Sequence, residues 1–219
     1  MFTHINYKTI PEIRQINSEG VRLYETPNGA KYPSVTTVLS HLKKDSIEEW
    51  KARVGAEEAQ KVMTKAARRG TRVHTMCEDF LNNRFEALRY MPMDIELFNS
   101  VKPILSNNIN NIYCQEQRMW SDHLKLAGTV DCIAEYDGTL SIIDFKTSAK
   151  TKPREWITNY FMQEAAYAIM FEERTGKPIK QLVTIIAVDY EEPQVFIEDR
   201  DDWAGELLAA IQSYNNRWL

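Results

Sequence analysis

The chain has 219 residues, of which 43% are hydrophobic and 26% charged, which suits one well-buried domain and is too short for two. Its net charge of -4 argues against a broad basic surface that wraps duplex DNA, although a local basic groove stays compatible with it. Cys77, Cys114 and Cys132 form no CxxC pair. We therefore expect no disulfide framework, no zinc knuckle and no iron–sulfur cluster.

The first 110 residues are predicted to be mostly helical after a short β-like start. Turn signals at Asn28-Gly29 and Pro33 surround strand-like pieces such as Val21 to Tyr24. Ser34 is typical of a helix N-cap and predicts a short helix that ends at Leu42. Three more helices are predicted: one after the Asp45-Ser46 signal to Val54, one over 56–82 with a candidate break at Gly70, and one over 94–107 that contains Pro103.

The pattern changes to strands after residue 110. Residues 112–120, 127–136 and 140–146 are predicted strands, and Asp137-Gly138 is a strong hairpin signal between the last two. A helix over 154–174 that ends at Gly176, a buried strand over 182–189 and a helix over 203–214 complete the pattern. We expect one α/β domain with a mixed central β-sheet flanked by helices, in which residues 1–110 form a helical N-terminal part and residues 111–219 the core.

The predicted hairpin brings two carboxylates together. A two-residue turn at Asp137-Gly138 places Asp131 opposite Asp144, and the strand period of two puts Lys146 on the same face as Asp144. Opposed carboxylates repel each other, and Mg²⁺ or Mn²⁺ is the simplest offset. The alternative is a solvated face whose acids and lysine pair harmlessly, but residues 140–145 are too apolar for a strand in water.

Two pairs of polar residues on predicted helices are further candidates for the same site. His74 and Glu78 stand four residues apart and share a helix face, as do Gln163 and Tyr167. Either pair by itself is also compatible with ordinary packing or solvation.

Together these residues resemble the PD-(D/E)XK nuclease superfamily in its RecB-like branch. That branch carries a helical Gly-x-x-x-His, a strand Gly-x-x-Asp, an Asp-x-Lys and a helical Gln-x-x-x-Tyr, in this order. Here they stand as Gly70-Thr-Arg-Val-His74, Gly128-Thr-Val-Asp131, Asp144-Phe-Lys146 and Gln163-Glu-Ala-Ala-Tyr167. Residues 32–39, 49–53 and 128–148 are also similar to the mitochondrial genome maintenance exonuclease family, and the likeness extends over about 32–215.

The resemblance implies a metal centre for Mg²⁺ or Mn²⁺. It implies Asp131 and Asp144 as ligands, with the Phe145 carbonyl beside them and His74 completing the shell. Lys146 would orient the attacking water or stabilise the charge that develops on the phosphate.

Other site residues follow from the same resemblance. Gln163 and Tyr167 would position the DNA backbone or the active-site lysine. Glu116 resembles a family acid of uncertain role, and Glu78 either supports the metal shell or is solvated.

A basic helical segment precedes His74 and is a candidate path for DNA. We expect its cations to follow the backbone beside the site, with a solvated basic face as the alternative. The residues are Lys65, Arg68, Arg69 and Arg72.

The favoured function is a metal-dependent exonuclease that prefers single-stranded DNA with a free end, in repair, replication or recombination. A structure-specific or flap endonuclease with the same core is the alternative, and a non-catalytic DNA-binding module is the third. No apolar run approaches the ~20 residues of a membrane span, and the first residues lack a signal or transit pattern. We expect a cytoplasmic protein of a bacterial or phage-infected cell, without a membrane partner.

Overall fold

The structure is a computed structural model that describes residues 1–7, 9–18 and 21–216. In it, short strands and four α-helices precede the central sheet. The strands β1 (Arg14–Ser18), β2 (Val21–Glu25) and β3 (Lys31–Pro33) form an antiparallel sheet in that order. The helices are α1 (Val35–His41), α2 (Lys44–Val54), α3 (Ala56–Leu81) and α4 (Pro92–Asn108).

These elements confirm the predicted ones and correct some of their bounds. Ser34 caps α1, since its hydroxyl accepts a hydrogen bond from the Thr37 amide at 3.0 Å. α2 begins at Lys44, ahead of the predicted cap signal. α3 continues through Gly70, and α4 continues through Pro103. Both helices bury an apolar face against the protein, and this packing outweighs the weak helix propensity of the two residues.

The central sheet has five strands, which lie in chain order from one edge to the other. They are β4 (Ile109–Ser121), β5 (Leu126–Tyr136), β6 (Thr139–Ser148), β7 (Gln181–Val188) and β8 (Gln194–Asp199). β6 and β7 are parallel and the other neighbours are antiparallel. The parallel pair is joined by α5 (Thr158–Thr175), and α6 (Arg200–Asn216) follows the last strand. This arrangement confirms the predicted mixed sheet flanked by helices.

The predicted hairpin has the expected register. Its paired positions run from Tyr136–Thr139 to Cys132–Ile143. The predicted helix over 154–174 is shorter than expected, because residues 154–156 form a 3₁₀ turn and α5 begins at Thr158. Gly176 ends α5 in the left-handed conformation, as predicted. β8 was not predicted, since it is short, half-exposed and polar at both ends.

Helices cover both faces of this sheet. α3 and α4 pack on one face, while α5, α6 and α1 belong to the core on the other. The alternation along β6 sends Ile142 to the α5 side and Ile143 to the α3 side, and both are fully buried. Within the described parts of the chain, no helix is long and apolar enough to cross a membrane.

Gly128 of β5 lies directly against the Tyr167 side chain of α5. A Cβ at this position would lie 2.8 Å from Cε1 and 3.0 Å from the hydroxyl of Tyr167. Real Cβ contacts are not that short, and the Tyr167 ring is itself 2% exposed and has little room to move. The glycine is therefore required by the aromatic ring that packs on it.

Gly128→Ala should destabilise the protein by about 1–3 kcal/mol, because the added methyl group overpacks a closed core. Denaturant unfolding measures the change. Gly205→Ala in α6 is the matched control: nothing lies within 4 Å of its Cβ, so this substitution should stabilise the helix by roughly 0.5–1 kcal/mol. Equal effects of the two substitutions would show that the ring contact is unimportant.

Candidate active site

The long helix α3 places His74 between two carboxylates of the sheet. Its Nε2 lies 2.7 Å from Oδ2 of Asp131 on β5, and its Nδ1 lies 3.3 Å from Oε1 of Glu116 on β4. The flanking residues Val73 and Cys77 are buried and hold this face of the helix against the sheet. A protonated imidazole donates to both acids at once.

Glu116 reaches the site through an irregular strand conformation. It lies on β4 between the pairs Gln115–Cys132 and Gln117–Val130, and therefore opposite Asp131. Its φ of +49° is unusual for a residue with a side chain. Such strain is common at functional sites. The sequence left the role of Glu116 open, and no sequence pattern marks the left-handed conformation that brings it to the site.

His74, Glu116 and Asp131 fit a divalent cation. One ligand atom from each residue lies within 4.8 Å of those of the other two. An imidazole nitrogen with carboxylate oxygens suits Mn²⁺, and Mg²⁺ accepts the oxygens. Two of the three residues were predicted ligands, and Glu116 joins them here.

Asp144 lies beside this triad and is held from the other side of the sheet. Its side chain is 1% exposed and is ion-paired with the Lys146 ammonium group. Its Oδ1 accepts a hydrogen bond of 3.1 Å from Nε2 of Gln163 on α5. Asp131 is bound differently, because its Oδ2 accepts the backbone N–H of Phe145 at 3.0 Å as well as the imidazole of His74. The two aspartates are thus anchored by different helices.

The ionisation of these groups reflects burial among like charges. Burial raises the pKa of Asp144 to about 7, and the nearby Asp131 adds to this while Lys146 opposes it. Burial also raises the pKa of Glu116 to about 7. Burial alone would lower the pKa of His74, but the hydrogen bond and charge of Asp131 and the charge of Glu116 raise it to about 9. The imidazolium therefore supplies the positive charge that the carboxylates require.

A further carboxyl group, Glu164, lies in the same region and was not identified from the sequence. It is fully buried on α5, and its Oε1 accepts a hydrogen bond from the hydroxyl of Thr184. Thr184 is the partner of Asp144 across β6 and β7. Burial first, and then the charge of Asp144, raise the pKa of Glu164 well above its ordinary value. In the sequence Glu164 occupies one of the unspecified positions of the Gln-x-x-x-Tyr motif, so the motif does not single it out.

Gln163 and Tyr167 both face inward from α5. Gln163 bonds Asp144, which is itself ion-paired with Lys146, and Tyr167 is 2% exposed and packs against Gly128. Gln163 is thus connected to Lys146 through Asp144, whereas neither side chain is presented to solvent. A role of the two residues in positioning the DNA backbone or Lys146 stays a prediction.

The basic residues of α3 fall into two groups. Arg69 is ion-paired with Asp189, and the Nε of Arg72 lies 2.5 Å from Oδ2 of Asp94, so these two tie α3 to its neighbours. Lys65 and Arg68 are exposed and line an open depression with Gln60, Thr64 and Arg72.

Glu78 lies one helical turn after His74. Its carboxylate is 3.8 Å from the guanidinium group of Arg84, and its charge is among the causes that raise the pKa of Glu116. Glu78 thus contributes to the negative field of the site without being one of the grouped ligand atoms.

The fold and this cluster define a nuclease of a known class. Residues 35–217 match the PD-(D/E)XK nuclease superfamily, and the chain belongs to it.

Individual relatives include mitochondrial genome maintenance exonuclease 1 of Homo sapiens, with 29% identity over 174 residues that make up 73% of this chain and 49% of the relative. The protein of the same name from Xenopus tropicalis is 30% identical over 62% of this chain and 42% of its own length. The chain thus spans about half the length of the curated relatives it matches. A candidate exonuclease from Eubacterium rectale with a known crystal structure is 16% identical in sequence to this chain. The structural match covers 69% of this chain and 65% of that one, with a TM-score of 0.45.

In the metal-free protein, the raised pKa of His74 predicts a pH dependence of stability. The favourable contribution of the imidazolium is fully present below pH 6.5 and is lost as the pH rises to about 9. Relative to His74→Gln, the wild-type protein should therefore lose stability across this window. Thermal unfolding in chelator at several pH values measures this, and the exposed His123, changed to Gln, is the control. Parallel curves for wild type and His74→Gln would contradict the assignment.

Proposed function

We propose that this chain is a divalent metal-dependent DNA exonuclease. One observation carries the proposal: the His74–Glu116–Asp131 cluster lies beside a buried Asp144–Lys146 ion pair in a chain that belongs to a nuclease superfamily. Acids that repel each other are kept together at a partly open surface, where a structural role alone would not require them.

His74, Glu116 and Asp131 would hold the metal, with Asp144 next to them. When bound, a divalent cation supplies neutralisation of the phosphate charge and activation of a water molecule. The residues of the chain prepare this site: Gln163 orients the Asp144 carboxylate, and the Phe145 amide fixes the Asp131 carboxylate.

Lys146 is the residue best placed to act on the phosphate. Its side chain is 21% exposed, whereas that of its partner Asp144 is 1% exposed, so the ammonium group lies between the buried acid and solvent. The acids around it raise the pKa of Lys146, which keeps its charge in place. That charge would stabilise the negative charge that builds up on the phosphate oxygens during hydrolysis.

Asp131→Asn, Asp144→Asn and Lys146→Met should each lower kcat/KM for DNA cleavage by about 100-fold or more. The aspartate variants remove carboxylates of the proposed metal site, and the lysine variant removes the positive charge that acts on the reacting phosphate. Gel assays on end-labelled DNA with Mg²⁺ or Mn²⁺ measure this. Glu135→Gln is the matched control: it lies on the same strand as Asp131 and binds Asn111 away from the cluster.

The control should retain wild-type activity, and chelation should abolish cleavage until Mg²⁺ or Mn²⁺ is restored. Thermal unfolding establishes that each variant is folded. Turnover near the wild-type rate in a folded Asp144→Asn or Lys146→Met variant would sink the assignment of the site.

We also propose that the substrate is single-stranded DNA with a free end. The net charge of -4 provides little of the phosphate-neutralising surface that duplex binding uses. Lys65 and Arg68, which lie nine and six residues before His74 on α3, are exposed cations that provide a small local basic surface, which suits one flexible strand. Admitting a duplex would require unpairing at about 1.4 kcal/mol per base-pair step.

Linear single-stranded DNA should be degraded at least about tenfold faster than a closed single-stranded circle of the same sequence, and at least about tenfold faster than a blunt duplex. Neither of these substrates has a free single-stranded end: the circle must enter as a loop, and the duplex must first be unpaired. Initial rates on the three substrates measure this. Equal rates on the circle and the linear strand would favour the endonuclease alternative.

A further inference from the structure

A second group of cations adjoins the reacting centre on its α5 side. The Tyr160 ring lies beside Lys146, with its centroid 5.2 Å from the Nζ. The same ring has the Nζ of Lys152 at 5.4 Å, and this ammonium group donates a 3.0 Å hydrogen bond to the tyrosine hydroxyl. One aromatic side chain thus connects the active-site lysine to a lysine outside the family motifs.

Lys43 joins this group from the loop after α1. Its Nζ donates to the Trp156 carbonyl at 2.9 Å and to Oδ1 of Asn159 at 2.6 Å. Burial, followed by the charge of Lys152, lowers the pKa of Lys43. Both ammonium groups are bound by neutral oxygens alone, and among the described residues neither has a carboxylate within 4.0 Å.

Two like charges held together without an acid are unfavourable in the free protein. Other cations of the protein are paired with acids, as Lys61 is with Glu57 and Arg72 with Asp94. An anion that binds between Lys43 and Lys152 would remove the repulsion.

An exposed aromatic side chain borders this cationic group. Trp156 is 69% exposed, although its backbone is fixed by a bond from its amide to the Pro153 carbonyl and by the Lys43 ammonium on its own carbonyl. A solvent-facing indole on a fixed backbone beside two neighbouring cations is a combination that can bind a nucleotide, with the phosphate on the charges and the base on the ring.

We propose that Lys43 and Lys152 form a phosphate-binding subsite for the DNA strand next to the reacting phosphate, and that Trp156 stacks the adjacent unpaired base. The inference rests on the proposed nuclease function and specifies where its substrate strand runs beside the centre: over Tyr160 at the start of α5. The strand would then contact the chain on both sides of Lys146.

Binding of a labelled oligothymidylate of roughly 12 nucleotides, measured by fluorescence anisotropy in chelator, tests the subsite without cleavage. Lys43→Met and Lys152→Met should each raise Kd about tenfold and reduce the slope of log Kd against log salt by about 0.7, the share of one phosphate contact on a single strand. Lys177→Met is the matched control, because Lys177 also donates to a tyrosine hydroxyl, that of Tyr113 at 3.0 Å, away from the site. It should change neither quantity.

The stacking role of Trp156 is tested by comparing a strand that carries bases with one that does not. Trp156→Ala should weaken binding of the oligothymidylate about tenfold, but should have no effect on an abasic strand of the same length. The lysine variants should weaken binding of both strands. Lys152→Arg should keep the salt slope, and thermal unfolding identifies any variant that is misfolded.

The outcomes separate the two proposals. If the wild type cleaves single strands but Lys43→Met and Lys152→Met behave like Lys177→Met, the subsite is wrong and the nuclease stands. If binding depends on these residues as expected but no metal restores cleavage, the subsite stands and the nuclease function fails. A Trp156→Ala effect that persists on the abasic strand would overturn the stacking role.

Discussion

Repulsion among carboxyl groups is the constraint around which this structure is arranged. Asp131, Glu116 and Asp144 lie on the neighbouring strands β4 to β6, and Glu164 lies on α5 behind them. Three of the four have a raised pKa because of burial. Two cations hold the group together: the His74 imidazolium serves Asp131 and Glu116, and the Lys146 ammonium serves Asp144. Removing one partner from such an arrangement leaves a buried charge unpaired, which is costly.

The sheet and its two helical layers make this arrangement possible. α3 supplies His74 from one face, and α5 supplies Gln163 from the other, so that neighbouring aspartates are fixed independently. The pairing of β5 and β6 ends at Cys132 and Ile143 within the described structure. The Phe145 amide therefore bonds the Asp131 side chain where a regular ladder would use a backbone carbonyl. The function we propose needs these anchored acids at a place that solvent still reaches.

The motif residues have different physical roles. Gly128 makes room for the Tyr167 ring, so a glycine on a strand and a tyrosine on a helix are one packing contact. Gln163 orients Asp144, while His74 bridges two acids. Some residues of the motifs therefore serve to dock the helices on the sheet. The residues of the proposed phosphate subsite lie around the start of α5, where Lys43 bonds Asn159 and Lys152 bonds Tyr160.

Local features were readable from the sequence, because they depend on near neighbours in the chain. The Asp137-Gly138 turn fixed the hairpin register that sets Asp131 beside Asp144, and Ser34 marked the start of α1. The strongly periodic helices and the buried β7 were predictable for the same reason. The resemblance added His74 as a proposed metal ligand, which the pattern of its own helix does not indicate.

Contacts between distant segments were decided only by the tertiary structure. Two such contacts join residues far apart in the chain: the ion pair of Arg69 with Asp189, and the hydrogen bond between the buried Glu164 and Thr184. The positive φ of Glu116 depends on an irregularity of its strand. No periodicity or propensity carries that information. The grouping of Lys43 with Lys152 is of the same kind, since it exists only because the loop after α1 packs against the start of α5.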